Sequence, residues 1–255
     1  MSQKIVESFN VNEAFLYDKP YLFIKGYATG LGLNQTLKAL PLVRKFHNGQ
    51  YRKGEIEIDG KTYRLPYVLH VLKVCSTLIS LHLPLSNIEL DNLLAASLLH
   101  DSLEDASQYF QNGGKDLVKK YGFSNEIYEA VTLVSKKPGY TEEQLDEYFD
   151  TLKKNKYAIL IKLADRSHNV EDLYNMKIEK LHKYINETRT WIYPLATYGK
   201  ANYPECSNGF TILKAKIVSL TECTETIFKM YETAIKEKDD EILKLKNKIN
   251  ELSNK

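Results

Sequence analysis

Ser86 to Asp105 reads SNIELDNLLAASLLHDSLED, and this stretch decides the fold. Ser86 and Glu89 have the spacing of a capping box, in which each side chain satisfies the other residue's backbone N–H. A helix is therefore expected to open there. Leu93, Leu94, Leu98 and Leu99 make its body apolar. It ends in His100-Asp101, with Glu104-Asp105 one turn further on. Residues four apart lie on one helical face, so the two pairs stand together. Four polar groups closing an apolar helix are costly to bury without a shared task. A cation would neutralise the carboxylates and occupy the imidazole. A solvated helix end is the plainer alternative.

Helical patterns continue on both sides. Thr36 to Phe46 reads as a short amphipathic helix. Pro66-Tyr67 opens another that runs to about Leu83, with Pro84 as its stop. Ser124 begins a further helix, and Thr141 with Gln144 repeats the capping-box spacing. Tyr157 to Leu173 is a strongly apolar helix containing Asp165. One segment departs from this pattern. Glu55 to Leu65 alternates apolar and polar residues around Asp59-Gly60, a strong hairpin signal. In the last part of the chain, Phe228, Ile235, Ile242 and Ile249 recur every seventh residue. Tyr231, Lys238, Leu245 and Leu252 each follow three later. That is a heptad seam, suited either to a homodimer or to a helix folded back on the body.

Composition narrows the function. The 255 residues are 43% hydrophobic, enough for a sizeable core, and the formal net charge is only +2. Such a balance argues against a nucleic-acid coat and leaves a local basic pocket as the way to hold an anion. The three cysteines, Cys75, Cys206 and Cys223, form no zinc-type pair, and Cys75 sits in an apolar run as a buried thiol. No apolar run approaches the length of a membrane span and the first residues carry no apolar signal core, so the expected location is cytoplasmic.

Two further polar residues lie in apolar surroundings. His70 is flanked by Leu69 and Val71, where a core histidine is the usual explanation. Asp165 follows Ile159-Leu160-Ile161-Lys162-Leu163-Ala164 and needs a cation, either Arg166 or a metal. His70, His100, Asp101 and Asp165 together make an N, N, O, O donor set. Mixed imidazole and carboxylate without thiolate suits Mn²⁺, Fe²⁺ or Zn²⁺ in open coordination. Glu104 and Asp105 would then position the attacking water or pass its proton. Arg52-Lys53, in a glycine-flanked loop, reads as a clamp: Arg52 by fork or by stacking on a base, Lys53 by point charge.

The joint pattern resembles the hydrolase domain of the RelA/SpoT family. The family's His-x-Gly-Gln-x-Arg-Lys corresponds to His47 to Lys53, and its Pro-Tyr-x-x-His to Pro66 to His70. His-Asp-x-x-Glu-Asp is His100 to Asp105, and Leu-Ala-Asp-Arg-x-His-Asn is Leu163 to Asn169. A later element is matched by Glu187 to Ala196, with its aromatic displaced by one onto Tyr193. The resemblance covers roughly residues 36 to 200. It implies an all-α HD-domain helical bundle, here with a small β-hairpin insertion and a C-terminal heptad helix. It also implies Mn²⁺ on His70, His100, Asp101 and Asp165, and water handled by Glu104 and Asp105. Arg52 would pack on guanine, with Lys53 and Asn169 touching the nucleotide. The implied reaction removes the 3′-diphosphate from ppGpp or pppGpp, leaving GDP or GTP and pyrophosphate.

Three departures stand out. The hairpin segment is longer than usual, Glu171 stands where many relatives carry Arg, and nothing after Leu195 resembles the family's synthetase domain. The expected layout is a phosphohydrolase domain over residues 1–200 and a helical extension over 201–255. Two other readings stay open: a phosphatase for another nucleotide on the same scaffold, and a non-enzymatic alarmone-binding module.

Overall fold

The structure, a computed structural model, describes residues 12–52, 56–58, 61–137, 139–175 and 178–253. In chain order the first helices are α1 (Asn12–Leu31), α2 (Asn34–Phe46), α3 (Val68–Ser80), α4 (Asn87–Leu99), α5 (Ser102–Asp105) and α6 (Lys115–Lys119). There follow α7 (Asn125–Val134), α8 (Glu142–Leu152), α9 (Lys156–Asn169), α10 (Ile178–Glu187), α11 (Tyr193–Asn202) and α12 (Ser207–Ser253). Two three-residue strands, β1 (Ile56–Ile58) and β2 (Lys61–Tyr63), pair antiparallel with Ile56 opposite Tyr63. The Asp59-Gly60 turn between them lies outside the described residues.

The middle of the molecule is α4. Leu93, Leu94, Leu98 and Leu99 are fully buried, and so are Ala95, Ala96 and Ser97 between them. A helix apolar on every side belongs inside, and α4 packs against α2, α3, α7 and α9. The capping box forms as its spacing requires: Ser86 Oγ accepts from the Glu89 N–H, and Glu89 Oε2 accepts from the Ser86 N–H. Thr141 and Gln144 do the same at the start of α8. Helix α2 is capped from a distance. The Asp91 carboxylate of α4 accepts from the N–H groups of Gln35 and Thr36 at 2.8 and 2.7 Å. That places a negative charge at the positive end of α2 and ties the two helices together.

Two boundaries beside the polar cluster differ from the sequence expectation. Helix α3 starts at Val68 rather than at Pro66. Pro66 is held in a bridge with Tyr51, and the Tyr67 N–H is taken by the Gln50 carbonyl at 2.8 Å. Helix α9 ends at Asn169, and the chain tightens into a 3₁₀ turn over Val170–Asn175. In that turn Glu171 and Asp172 lie on different faces, toward Lys216 and Arg52, which matters below.

Helix α12 divides into two stretches. Gly209, Phe210, Leu213, Ile217 and Thr221 are buried at helical spacing, and this end packs on α9 and α11. Contact is close enough that a Cβ at Gly209 would come within 2.5 Å of Leu83 Cδ2. Phe228 still packs against the core. Beyond it Tyr231, Ile235, Ile242, Leu245, Ile249 and Leu252 are all exposed, Leu252 by 64%.

Candidate metal centre

Three buried helices meet at one polar point. Helix α3 carries His70 in its first turn, α4 ends on His100, and α9 carries Asp165. Residues 70, 100 and 165 are far apart in sequence, yet α3, α4 and α9 pack mutually. Ligand atoms of His70, His100 and Asp165 all lie within 4.8 Å of one another. Asp101 sits in the turn between α4 and α5. Its Oδ2 is 3.0 Å from His100 Nε2 and 3.5 Å from His70 Nε2. His70 Nε2 is 3.2 Å from Asp165 Oδ1. All four side chains named from the sequence are therefore brought to one place.

The protonation pattern follows from the hydrogen bonds around them. His100 Nδ1 lies 2.7 Å from the Ser97 carbonyl, which can only accept, so Nδ1 carries the hydrogen. His100 Nε2 is buried and lacks the alignment of a hydrogen bond to any protein atom. His70 Nδ1 is 2.6 Å from His168 Nδ1. Burial, and then the nearby His70, Arg52 and Lys73, bring His168 down to about 2. His168 is thus neutral, and one hydrogen is shared between the two facing Nδ1 atoms. The other nitrogens, His70 Nε2 and His100 Nε2, face the carboxylates of Asp101 and Asp165.

Two imidazole nitrogens turned toward two carboxylates repel one another unless positive charge sits among them. Burial opposes a proton on His100, but the Asp101 carboxylate, with help from Asp165, raises it to about 9. Burial likewise opposes ionisation of Asp101, yet His100 and His70 hold it well below the usual carboxylate range. The donor set and the buried His100 Nε2, 3.0 Å from the Asp101 carboxylate, fit a divalent cation. A proton takes that place otherwise.

Asp165 has a different counter-cation from the one its sequence neighbour suggested. Arg166 turns away, donating to Thr188 Oγ1 at 3.1 Å and lying over the Tyr184 ring. Lys162 donates to Asp165 Oδ2 at 3.1 Å and Asn169 Nδ2 to Asp165 Oδ1 at 2.6 Å. Lys162, one turn earlier on the same helix, and then His70 keep Asp165 ionised against the cost of burial. Thr188 begins a π-helical turn, Thr188–Ile192, joining α10 to α11. Tyr193, which follows, packs beside Thr221 and Glu222 of α12.

The acid pair stands on α5. Glu104 Oε1 accepts from the Lys136 N–H at 2.6 Å. Burial raises the carboxyl groups of both Glu104 and Asp105, and the neighbouring Asp101 charge raises them further. Several residues that the sequence left without a role surround them. Tyr67 donates its hydroxyl to Asp101 Oδ2 at 2.6 Å, and burial keeps it a phenol. Gln50 Nε2 donates to the Asp105 carbonyl at 2.5 Å, while its Oε1 meets His47 Nδ1 at 2.7 Å. Tyr67, His47 and Gln50 belong to the quoted motifs, so position in the motif was their only signal. His168 lies on the face of Asp165, but nothing in the sequence joins it to His70.

Arg52 reaches in from the loop before β1. It donates to Asn169 Oδ1 at 2.9 Å and to Asp172 Oδ2 at 2.8 Å. Lys53 lies outside the described residues.

No protein-family model matches the chain. It is 30% identical over 161 residues to a guanosine-3′,5′-bis(diphosphate) 3′-pyrophosphohydrolase of Haemophilus influenzae, over 61% of this chain and 21% of that protein. It is 28% identical over 188 residues to the bifunctional (p)ppGpp synthase/hydrolase SpoT of Escherichia coli, over 71% of this chain and 24% of that protein. The chain thus spans about a fifth of the length of the curated relatives it matches. Among solved structures it superposes on one described as a metazoan orthologue of SpoT that hydrolyses ppGpp. The TM-score is 0.53 at 22% identity, covering 74% of this chain and 95% of that one. The chain is thus similar in sequence to part of the RelA/SpoT proteins and shares the fold of that SpoT orthologue. In this fold the quoted His-Asp dipeptide is the corner where α4 meets α5. No helix among the described residues is long and apolar enough to cross a membrane.

Proposed function

We propose that this chain is a metal-dependent pyrophosphohydrolase that removes the 3′-diphosphate from ppGpp, pppGpp or a close alarmone. The observation that carries the reading is the convergence of His70, His100, Asp101 and Asp165 beside Arg52. The names of the relatives point the same way. These four residues would hold the ion, and Mn²⁺ is our assignment for a donor set of two imidazoles and two carboxylates. A divalent ion bound there supplies Lewis acidity and lowers the pKa of water at the site.

The chain's own residues do the rest. Tyr67 and Lys162 fix the two carboxylates in position, as His168 fixes His70. Glu104 and Asp105, with carboxyl groups raised by burial, take up the proton lost by the attacking water. Water adds to the phosphorus attached to the ribose 3′-oxygen, that P–O bond breaks, and the 3′-oxygen leaves with a proton. The products are GDP or GTP and pyrophosphate. Arg52, Lys53 and Asn169 form the nucleotide-binding group.

Residues 1–200 form the catalytic domain, and 201–255 extend it as a helix that pairs with a second copy. Support for pairing comes from the exposed seam beyond Phe228. In a parallel pair Glu241 would face Lys246 of the second copy, with opposite charge. Lys238, the polar residue in the seam, is held by Glu241 of its own helix at 2.9 Å. The protein works in the cytoplasm on a small nucleotide, without nucleic acid.

A second reading, a phosphatase for another nucleotide, is favoured by one observation. Glu171 stands where the resemblance leads one to expect Arg in many relatives, and it is turned away to Lys216 at 2.6 Å. A panel of nucleotides with Mn²⁺-loaded protein, scored for pyrophosphate against orthophosphate, separates the two. Pyrophosphate released from ppGpp is expected, and orthophosphate as the sole product overturns the reading.

A further inference from the structure

The sequence left Arg52 two ways to act, as a fork on phosphate or as a plate under a base. The hydrogen bonds of a guanidinium run in its plane. Asn169 Oδ1 and Asp172 Oδ2 both approach one terminal nitrogen of Arg52, at 2.9 and 2.8 Å, so that edge of the fork is occupied. Its central carbon lies over the Tyr67 ring, 6.0 Å from the centroid. One face of the plane is thus backed by protein, and the opposite face is where a flat ligand would lie.

Both edge partners are themselves held. Asn169 cannot swing freely, since its Nδ2 donates to Asp165 Oδ1 at 2.6 Å. Asp172 belongs to the 3₁₀ turn that follows α9. Val170 and Leu173 of that turn are buried, and Glu171 is pinned to Lys216 of α12 at 2.6 Å. The turn therefore sends its two consecutive acids in different directions. Glu171 goes to the C-terminal helix, and Asp172 goes to Arg52.

We propose that Asp172 is a positioning residue that holds Arg52 edge-on as a stacking plate for a purine and withdraws its charge from phosphate binding. This deepens the nucleotide-hydrolase reading and rests on it. A phosphate placed at the same edge would sit against the Asp172 carboxylate, with like charges in contact. A neutral base on the guanidinium face meets no such conflict and gains cation–π attraction. Phosphate recognition then falls to the metal centre and to other cations, and Arg52 selects for the base.

The test compares the full, Mn²⁺-loaded chain with Asp172→Asn, Asp172→Ala, Arg52→Lys and the double variant Arg52→Lys/Asp172→Asn. KM and kcat for ppGpp are measured alongside calorimetric titration with GDP. Thermal melting checks the fold of each variant. Asp172→Asn keeps the shape and removes the charge, so KM and the GDP Kd rise roughly three- to tenfold, with kcat changed less than about twofold. Arg52→Lys, which has no plane, raises both at least as much, and adding Asp172→Asn to it changes little further. Tighter binding in Asp172→Asn would mean that the carboxylate blocks Arg52, and would overturn the proposal. So would a fall in kcat with KM unchanged, or effects of the two substitutions that simply add. Wild-type protein that binds GDP but leaves ppGpp intact sinks the hydrolase reading, while the GDP titrations still decide the role of Asp172. Failure of wild type to bind any purine nucleotide overturns both.

Discussion

Helices α9 and the far half of α12 solve opposite problems. In α9 the buried residues include Asp165, Arg166 and His168. Each has a partner: Lys162 and Asn169 for Asp165, Thr188 for Arg166, His70 for His168. In the far half of α12 the charged residues lie in water, and so do Ile235, Ile242, Leu245, Ile249 and Leu252. A buried polar residue is stable only with its partners, and an exposed apolar seam is at rest only when covered. One helix therefore carries its answer within the chain, and the other points outside it.

The comparison can be broken most sharply in α9. Asp165→Ala leaves Lys162 and His70 without their shared carboxylate, and metal content and turnover are expected to vanish together. Metal analysis and pyrophosphate release on the same preparation check this. Glu104→Gln leaves the four proposed ligands alone, so it should keep the metal while the rate falls by about 10² to 10⁴. A stopped reaction with the metal lost would instead assign Glu104 to the ligand set. Within the shell that supports both, Leu98→Ala removes a fully buried side chain and should cost about 2–5 kcal/mol in denaturant unfolding.

A smaller, graded effect comes from pH. His100 is raised to about 9, above its unfolded value near 6.5. Its imidazolium thus stabilises the metal-free protein fully below pH 6.5, and that contribution is lost as pH climbs through about 9. Metal must displace the same proton. Apparent metal affinity should therefore rise with pH, by up to about tenfold per unit, and level off above pH 9. A flat profile from pH 7 to 9 would remove His100 from the ligands. The last substitution reaches the other side of the comparison. Ile242→Asp should halve the mass seen by light scattering and leave turnover of ppGpp unchanged. An unaltered mass would show that the seam meets something other than a second copy.

Local rules in the sequence carried much of this. Ser86 with Glu89 and Thr141 with Gln144 are self-contained boxes, and each forms where its spacing says. Cys75 in its apolar run is buried, and burial pushes its thiol up to about 12. The order of motifs sufficed to name His70, His100, Asp101 and Asp165, and the fold brings them together. What was not legible depends on contact between distant segments. Helix α2 starts two residues before Thr36 because Asp91, over fifty positions on, caps it. Helix α1 falls before every quoted motif and gave no cap signal of its own. Arg166 looked like the partner of Asp165 by adjacency. Neighbours in a helix point about 100° apart, so the residue one turn back, Lys162, takes that place. The hydrogen bond from Arg52 to Asp172 spans 120 positions and rests on where α9 tightens into a 3₁₀ turn.

The continuity of α12 has a mechanical consequence. A single rod of 47 residues extends roughly 70 Å, and only its first half is bedded in the body. The remainder is a stalk. Anything that grips its tip holds the body about 35 Å away, as a semi-rigid spacer rather than a slack leash. The buried polar cluster is thereby kept at a distance from whatever meets the seam.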